Sequence, residues 1–169
     1  MDLEAFNISP ADDVRPALQA CCDAPGWIDA VLAGRPYADR ADVLRAADAA
    51  ARRFTAADVD RALAAHPRIG ERAEGEHAEA AWSRSEQAEV GTDQATARAL
   101  AEGNRAYEER FGRVFLICAS GLSADQVLAS LRDRLGNEPD EEAAVVADEL
   151  RRIALLRLER VLATEEVSV

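Results

Sequence analysis

Apolar positions recur at intervals of three and four along most of this chain, the period of helices that bury one face. The clearest stripe lies in residues 93–111, where Leu100, Asn104, Tyr107 and Phe111 share a face. Another runs through residues 140–162, with Val146, Leu150, Ile153 and Arg157 in line. Residues 123–135 form a helix opened by Ser123 with Gln126 three positions on, the signature of a capping box. An alanine-rich amphipathic helix is predicted over residues 39–54. Thr55 restarts the chain as an N-cap with Asp58 at the third position, and that helix stops near His66, because Pro67 disfavours helical backbone in the residue before it. Towards the N-terminus, Ser9-Pro10 reads as an N-cap with proline at the first helical position, and short helices are predicted over residues 16–22 and 27–32. Residues 67–81 are polar and glycine-bearing and read as a loop, followed by a short helix over 84–88 that breaks near Gly91. Residues 114–119 are a short apolar run that fits a buried strand-like stretch or a helix. The expected fold is all-α: a single compact multi-helix domain over residues 1–169, with about seven to nine helices and no linker or internal repeat.

Composition strengthens this picture and removes several function classes. Hydrophobic residues make up 49% of the chain but aromatics only 5%, and 37 residues are alanine, the best helix former. A β-sandwich would demand more β-branched and aromatic residues. The net charge is -12, and all 20 cations are arginine. Without lysine there is no Schiff-base or pyridoxal-phosphate chemistry and no phosphate-binding P-loop. An acidic chain with no arginine stripe repels nucleic acid. No apolar run is long enough for a membrane span, and the N-terminus lacks the basic and apolar parts of a signal peptide. Three cysteines, two of them adjacent, favour reduced thiols over a disulfide framework.

Few residues are then left to carry chemistry. His66, at a helix end, reads as a C-terminal cap or as an acid–base group near neutral pH. His77 lies among glutamates in a polar stretch and reads as solvated. No histidine or cysteine spacing suggests a metal site. Ser83-x-x-Glu86 fits a capping box, while Glu86 also reads as a carboxylate in a cleft. Arg157 is the odd member of an apolar stripe, either snorkelling to solvent or aimed at a ligand carboxylate or carbonyl. Asn104 reads as a side chain that ties down backbone. Cys118, in an apolar run, reads as a buried small hydrophobe.

Five motifs occur in order: His66-Pro67-Arg68-Ile69-Gly70; Ser83-x-x-Glu86-Gln87; Asn104-x-x-Tyr107-x-x-Arg110-Phe111-Gly112-x-x-Phe115; Arg134-Leu135-x-Asn137; and Ile153-x-x-x-Arg157-Leu158. Together with Phe6-Asn7, Cys21-Cys22 and Trp27, this set resembles the 2-oxo-4-hydroxy-4-carboxy-5-ureidoimidazoline (OHCU) decarboxylases across nearly the whole chain. The resemblance implies an all-α fold, no cofactor, a small-molecule ureidoimidazoline substrate, and conversion of OHCU to (S)-allantoin and carbon dioxide in urate degradation. It implies His66 and Glu86 as the catalytic pair. It implies Pro67, Ser83, Gln87 and Arg157 as pocket-lining residues, with the run containing Phe115 and Ile117 meeting the substrate through backbone groups. A cytoplasmic bacterial homodimer, without nucleic-acid or membrane partners, is the expected setting. A non-catalytic helical interaction module and a small lyase acting on a related ureido acid are the competing readings.

Overall fold

The first helix is one that the periodicity misses. The computed structural model describes residues 1–64, 66–69, 82, 85 and 94–163. In it α1 (Leu3–Ile8) starts at Asp2, whose carboxylate accepts from the Ala5 amide at 2.7 Å, and Phe6 is its one buried residue. Six residues are too few for a repeating stripe, so only the acidic N-cap marks it. The next helix, α2 (Ala11–Cys21), begins well before residue 16. Pro10 takes the N-cap position instead of the first helical one, and Pro16 lies inside the helix. An interior proline costs about 3 kcal/mol. Val14, Leu18 and Cys21, all fully buried on one face, offset that cost at about 1.5–3 kcal/mol for each large apolar side chain.

From α3 onward the expectations are closer. α3 (Pro25–Ala33) carries proline in its first turn, two residues ahead of the predicted start. α4 (Arg40–Ala51) is capped by Asp39, which accepts from the Asp42 amide at 2.7 Å. α5 (Ala56–Leu63) opens on a reciprocal pair in which Thr55 N donates to Asp58 at 2.9 Å and Asp58 N donates to Thr55 Oγ1 at 3.2 Å. α6 (Gln94–Phe111) ends at Gly112, whose φ of 67° lets its amide reach the Glu108 carbonyl at 2.8 Å. α7 (Ala124–Arg134) has the Ser123–Gln126 capping box in full, and α8 runs from Pro139–Leu162. Residues 114–119 are neither helix nor strand. All eight helices, and no strand, occur among the described residues, and none of these helices is long and apolar enough to cross a membrane. The predicted loop beyond Ile69 and the Ser83–Glu86 capping box fall outside the described residues, and of the predicted helix over 84–88 only Ser85 is described, in helical conformation.

The chain divides into two compact units. The first comprises Met1–Ala62 and Arg151–Val169, so it takes α1 to α5 and the C-terminal part of α8. Within it α3 packs on α2 and α4, and Trp27 Nε1 donates to the Ala47 carbonyl at 3.0 Å in the interior. Arg35 gathers the carbonyls of Phe6 and Ser9 at 2.8 and 2.9 Å, fixing the end of α1. The second unit is Leu63–Leu150. There α6 packs on α7 across Gly103, where an added Cβ would lie 2.5 Å from Leu131 Cδ2. Its core is one apolar cluster that includes Ile69, Leu100, Tyr107, Phe115, Ile117 and Leu131.

Candidate active site

His66 sits three residues beyond the end of α5 because its own proline neighbour forbids the helix to continue. At this helix end the His66 amide donates to the Leu63 carbonyl at 2.9 Å. The residue is half-buried, as is Pro67, and its Nε2 is shielded from solvent. The chain then runs through Arg68 and Ile69 without helical structure. Arg68 makes a two-pronged pair with Glu108 of α6, at 2.5 and 3.0 Å, and this partner holds the Glu108 carboxyl below the usual range. Ile69 buries its side chain in the apolar cluster, and its carbonyl accepts from Asn104 Nδ2 at 2.9 Å. Asn104 therefore ties down backbone, as its place on the apolar stripe suggests.

Phe115, Ile117 and Ala119 lie in the same cluster, and Leu116 between them is buried as well. A buried segment outside helix and sheet must satisfy its backbone by other means. Here side chains do so. Arg134 Nη1 donates to the Leu116 carbonyl at 2.8 Å, and the Cys118 amide donates to Glu149 at 2.8 Å. Cys118 itself is half-buried, not the buried small hydrophobe that its apolar run suggests. The Arg134 guanidinium lies over the Phe115 ring, 4.6 Å from its centroid, and Tyr107 meets that ring edge-on at 5.2 Å.

Under this segment sits a polar group that sequence reasoning passed over. Glu142, 1% exposed in the first turn of α8, accepts from Arg134 Nε and Nη2 at 2.9 and 2.6 Å, from Asn137 Nδ2 at 2.8 Å and from the Tyr107 hydroxyl. Burial, reinforced by this carboxylate, raises the Tyr107 hydroxyl pKa above its ordinary value. Acids in the first turn of a helix are ordinarily solvated, so sequence alone gave Glu142 no distinction from Asp140 and Glu141. The convergence of Tyr107, Arg134 and Asn137 was the available signal, since two buried donors and a half-buried one require an acceptor.

Arg157 lies in the first unit and is 2% exposed, so it does not snorkel. Its Nη1 faces the Ala20 carbonyl at 3.4 Å. Its charge also acts on Cys22, whose thiol is pushed up to about 12 by burial, with Arg157 opposing the shift. Cys21 and Cys22 are buried, and none of the three cysteines is in a disulfide. A thiol that is both buried and protonated is inert. Ellman's reagent at pH 8 is therefore expected to titrate at most one thiol, Cys118, in the native protein and all three after unfolding in guanidinium. Rapid native reaction of two or more would contradict this packing.

Ser83, Glu86 and Gln87 lie outside the described residues. Of the remaining candidates, His66, Pro67, Phe115 and Ile117 belong to the second unit, where Ile69 and the 115–119 run share one cluster. Residues 7–159 match the family described as OHCU decarboxylase. The chain belongs to the OHCU decarboxylase family. It is 32% identical to the 2-oxo-4-hydroxy-4-carboxy-5-ureidoimidazoline decarboxylase of Amia calva over 136 residues, 79% of this chain and 78% of that one. It is 28% identical to the uric acid degradation bifunctional protein TTL of Arabidopsis thaliana over 83% of this chain but only 44% of that protein. Its fold matches a crystal structure of an OHCU decarboxylase in the presence of (S)-allantoin with a TM-score of 0.75 and 25% identity, covering 88% of this chain and 99% of that one. A crystal structure of an (S)-allantoin synthase shares the fold at a TM-score of 0.70 and 17% identity, over 95% of this chain and 54% of that one.

For this OHCU decarboxylase family member, the geometry sorts the motif residues into two kinds. Asn104, Tyr107, Arg134 and Asn137 spend their polar groups on the protein's own backbone and on Glu142. They build the support for two irregular segments, residues 66–69 and 115–119.

Proposed function

We infer that this chain is a carboxy-lyase that converts OHCU to (S)-allantoin and carbon dioxide in urate degradation. The observation that carries this reading is the family match over residues 7–159, joined to the structural likeness over nearly the whole of a solved OHCU decarboxylase. The chemistry needs an electron sink, and a chain without lysine has no pyridoxal to offer. The substrate carries its own. When the bond to the carboxylate breaks and carbon dioxide leaves, the electron pair passes into the adjacent carbon–nitrogen double bond. The ring nitrogen that receives the pair takes up a proton, a second proton delivered to one face of the ureido-bearing carbon sets the configuration, and loss of the hydroxyl proton leaves the ring carbonyl, a net uptake of one proton.

The roles follow from the resemblance. His66 moves the proton and Glu86 orients the hydroxyl or the imidazole. Pro67, Ser83 and Gln87 bind the substrate, as do Phe115 and Ile117. Arg157, with a planar fork that suits paired oxygens, takes a carboxylate or carbonyl of the substrate. The same resemblance supports a cytoplasmic homodimer.

Freshly generated OHCU, followed by circular dichroism and by carbon dioxide release, tests the activity. Optically active (S)-allantoin is expected to form far faster with the protein than without it, with one carbon dioxide per substrate. Allantoin that forms no faster with the protein present would leave the chain a non-catalytic helical module. Slow turnover of OHCU beside rapid turnover of a related ureido acid would make it a different small lyase.

A further inference from the structure

We propose that Asn104 and Glu108, one turn apart on α6, are positioning residues for the decarboxylation: together they clamp the segment that presents His66. The proposal rests on the reading of His66 as the proton-handling residue. That histidine stands on backbone that no helix or sheet holds. Its amide is fixed upstream to the Leu63 carbonyl at 2.9 Å. Downstream, α6 holds the segment at two points: Asn104 donates to the Ile69 carbonyl at 2.9 Å, and Glu108 accepts from both prongs of Arg68 at 2.5 and 3.0 Å. Positions four apart on a helix face the same way, so one face of α6 grips two consecutive residues.

The character of the two contacts points to geometry over stability. The Arg68–Glu108 pair is 45% and 26% exposed, and exposed pairs add little to folding. Two parallel hydrogen bonds from a planar guanidinium nevertheless fix direction as well as distance. Asn104 is 4% exposed, and its Oδ1 accepts no hydrogen bond among the described residues. What this buried side chain delivers is one directed bond to Ile69. A proton-transfer group displaced by about 1 Å can lose about 10²-fold in rate.

The test compares Glu108→Ala, Asn104→Ala, the charge-swapped pair Arg68→Glu with Glu108→Arg, and His66→Gln, all assayed well below their melting temperatures. Glu108→Ala and Asn104→Ala are each expected to lose about 10- to 100-fold in kcat with KM changed by less than about threefold. The His66 Cε1–H proton resonance, assigned by its loss in His66→Gln from a chain with only two histidines, is expected to shift or split in both. The charge swap is expected to recover most of the kcat lost in Glu108→Ala. Clamp variants with wild-type kcat beside an inactive His66→Gln would overturn the clamp and leave the His66 reading standing. Losses of kcat that track melting temperature, with an unmoved His66 resonance, would also overturn it. Wild-type activity in His66→Gln would remove the His66 reading, and the clamp's catalytic role with it.

Discussion

Replacing His66 by glutamine is expected to abolish directed decarboxylation while leaving the fold in place. The fold uses the His66 amide, bonded to the Leu63 carbonyl, and the substitution keeps it. Glutamine also keeps a polar side chain of similar reach in a half-buried position. What it removes is the imidazole, a side chain type able to gain and lose a proton near neutral pH. Loss of a positioned acid or base costs about 10²–10⁴-fold. Two readouts separate this from a general defect. Far-ultraviolet circular dichroism and melting temperature should stay close to wild type while kcat/KM falls. The product should also lose optical activity, because a proton from solvent has no preferred face and the uncatalysed route then dominates. A variant that keeps kcat/KM within about threefold of wild type, a difference under about 1 kcal/mol in transition-state stabilisation, would rule out His66 as the proton handler.

The long elements were legible because their length lets a period declare itself. α6 and α8 show their stripes over 18 and 24 residues, and the positions the spacing marks are buried, except for Phe111, which is half-buried. The Ser123–Gln126 and Thr55–Asp58 starts were legible because capping is local chemistry, settled within four residues. The N-terminal helices were not. α1 is too short to show a period, and the signal for α2 was masked by Pro16, whose penalty only tertiary burial of Val14 and Leu18 outweighs. Residues 114–119 stayed ambiguous for the same reason in reverse. Their apolar side chains fit either regular structure, and what holds them irregular is distant: Arg134 and Glu149 satisfy the backbone from 18 and 31 positions away.

The candidate site divides along a similar line. Histidine, arginine and asparagine at spaced motif positions stand out by residue type, so His66, Arg157 and Asn104 could be singled out before any contact was known. Glu108 and Glu149 could not, since they are two acids among 32. A sequence says which groups are chemically able to act. It does not say which of many equivalent carboxylates a fold has brought to a buried backbone group, and that information lies in packing.

Glu142 is the sharpest case, and its removal should be the most damaging single change to the fold. Its carboxylate takes hydrogen bonds from Arg134, Asn137 and Tyr107, and the Arg134 side chain is only 8% exposed. Truncation to alanine would strand a buried guanidinium, a buried hydroxyl and an amide at once. Breaking a buried ion pair on one side typically costs about 3–5 kcal/mol. For a chain of this size that corresponds to a fall in melting temperature of about 6–20 °C. Arg134→Ala should be comparably harmful, because it strands Glu142 and also takes the donor from the Leu116 carbonyl and the cation from the face of Phe115. The double replacement Arg134→Met with Glu142→Leu should be more stable than either single truncation, since neither charge is then left alone. It should still fall short of wild type, because the Leu116 carbonyl, the Tyr107 hydroxyl and the Asn137 amide each lose a partner. Single variants that melt within about 2 °C of wild type, well under the shift that 3 kcal/mol implies, would mean that this group is solvated in the working protein and does not support residues 115–119.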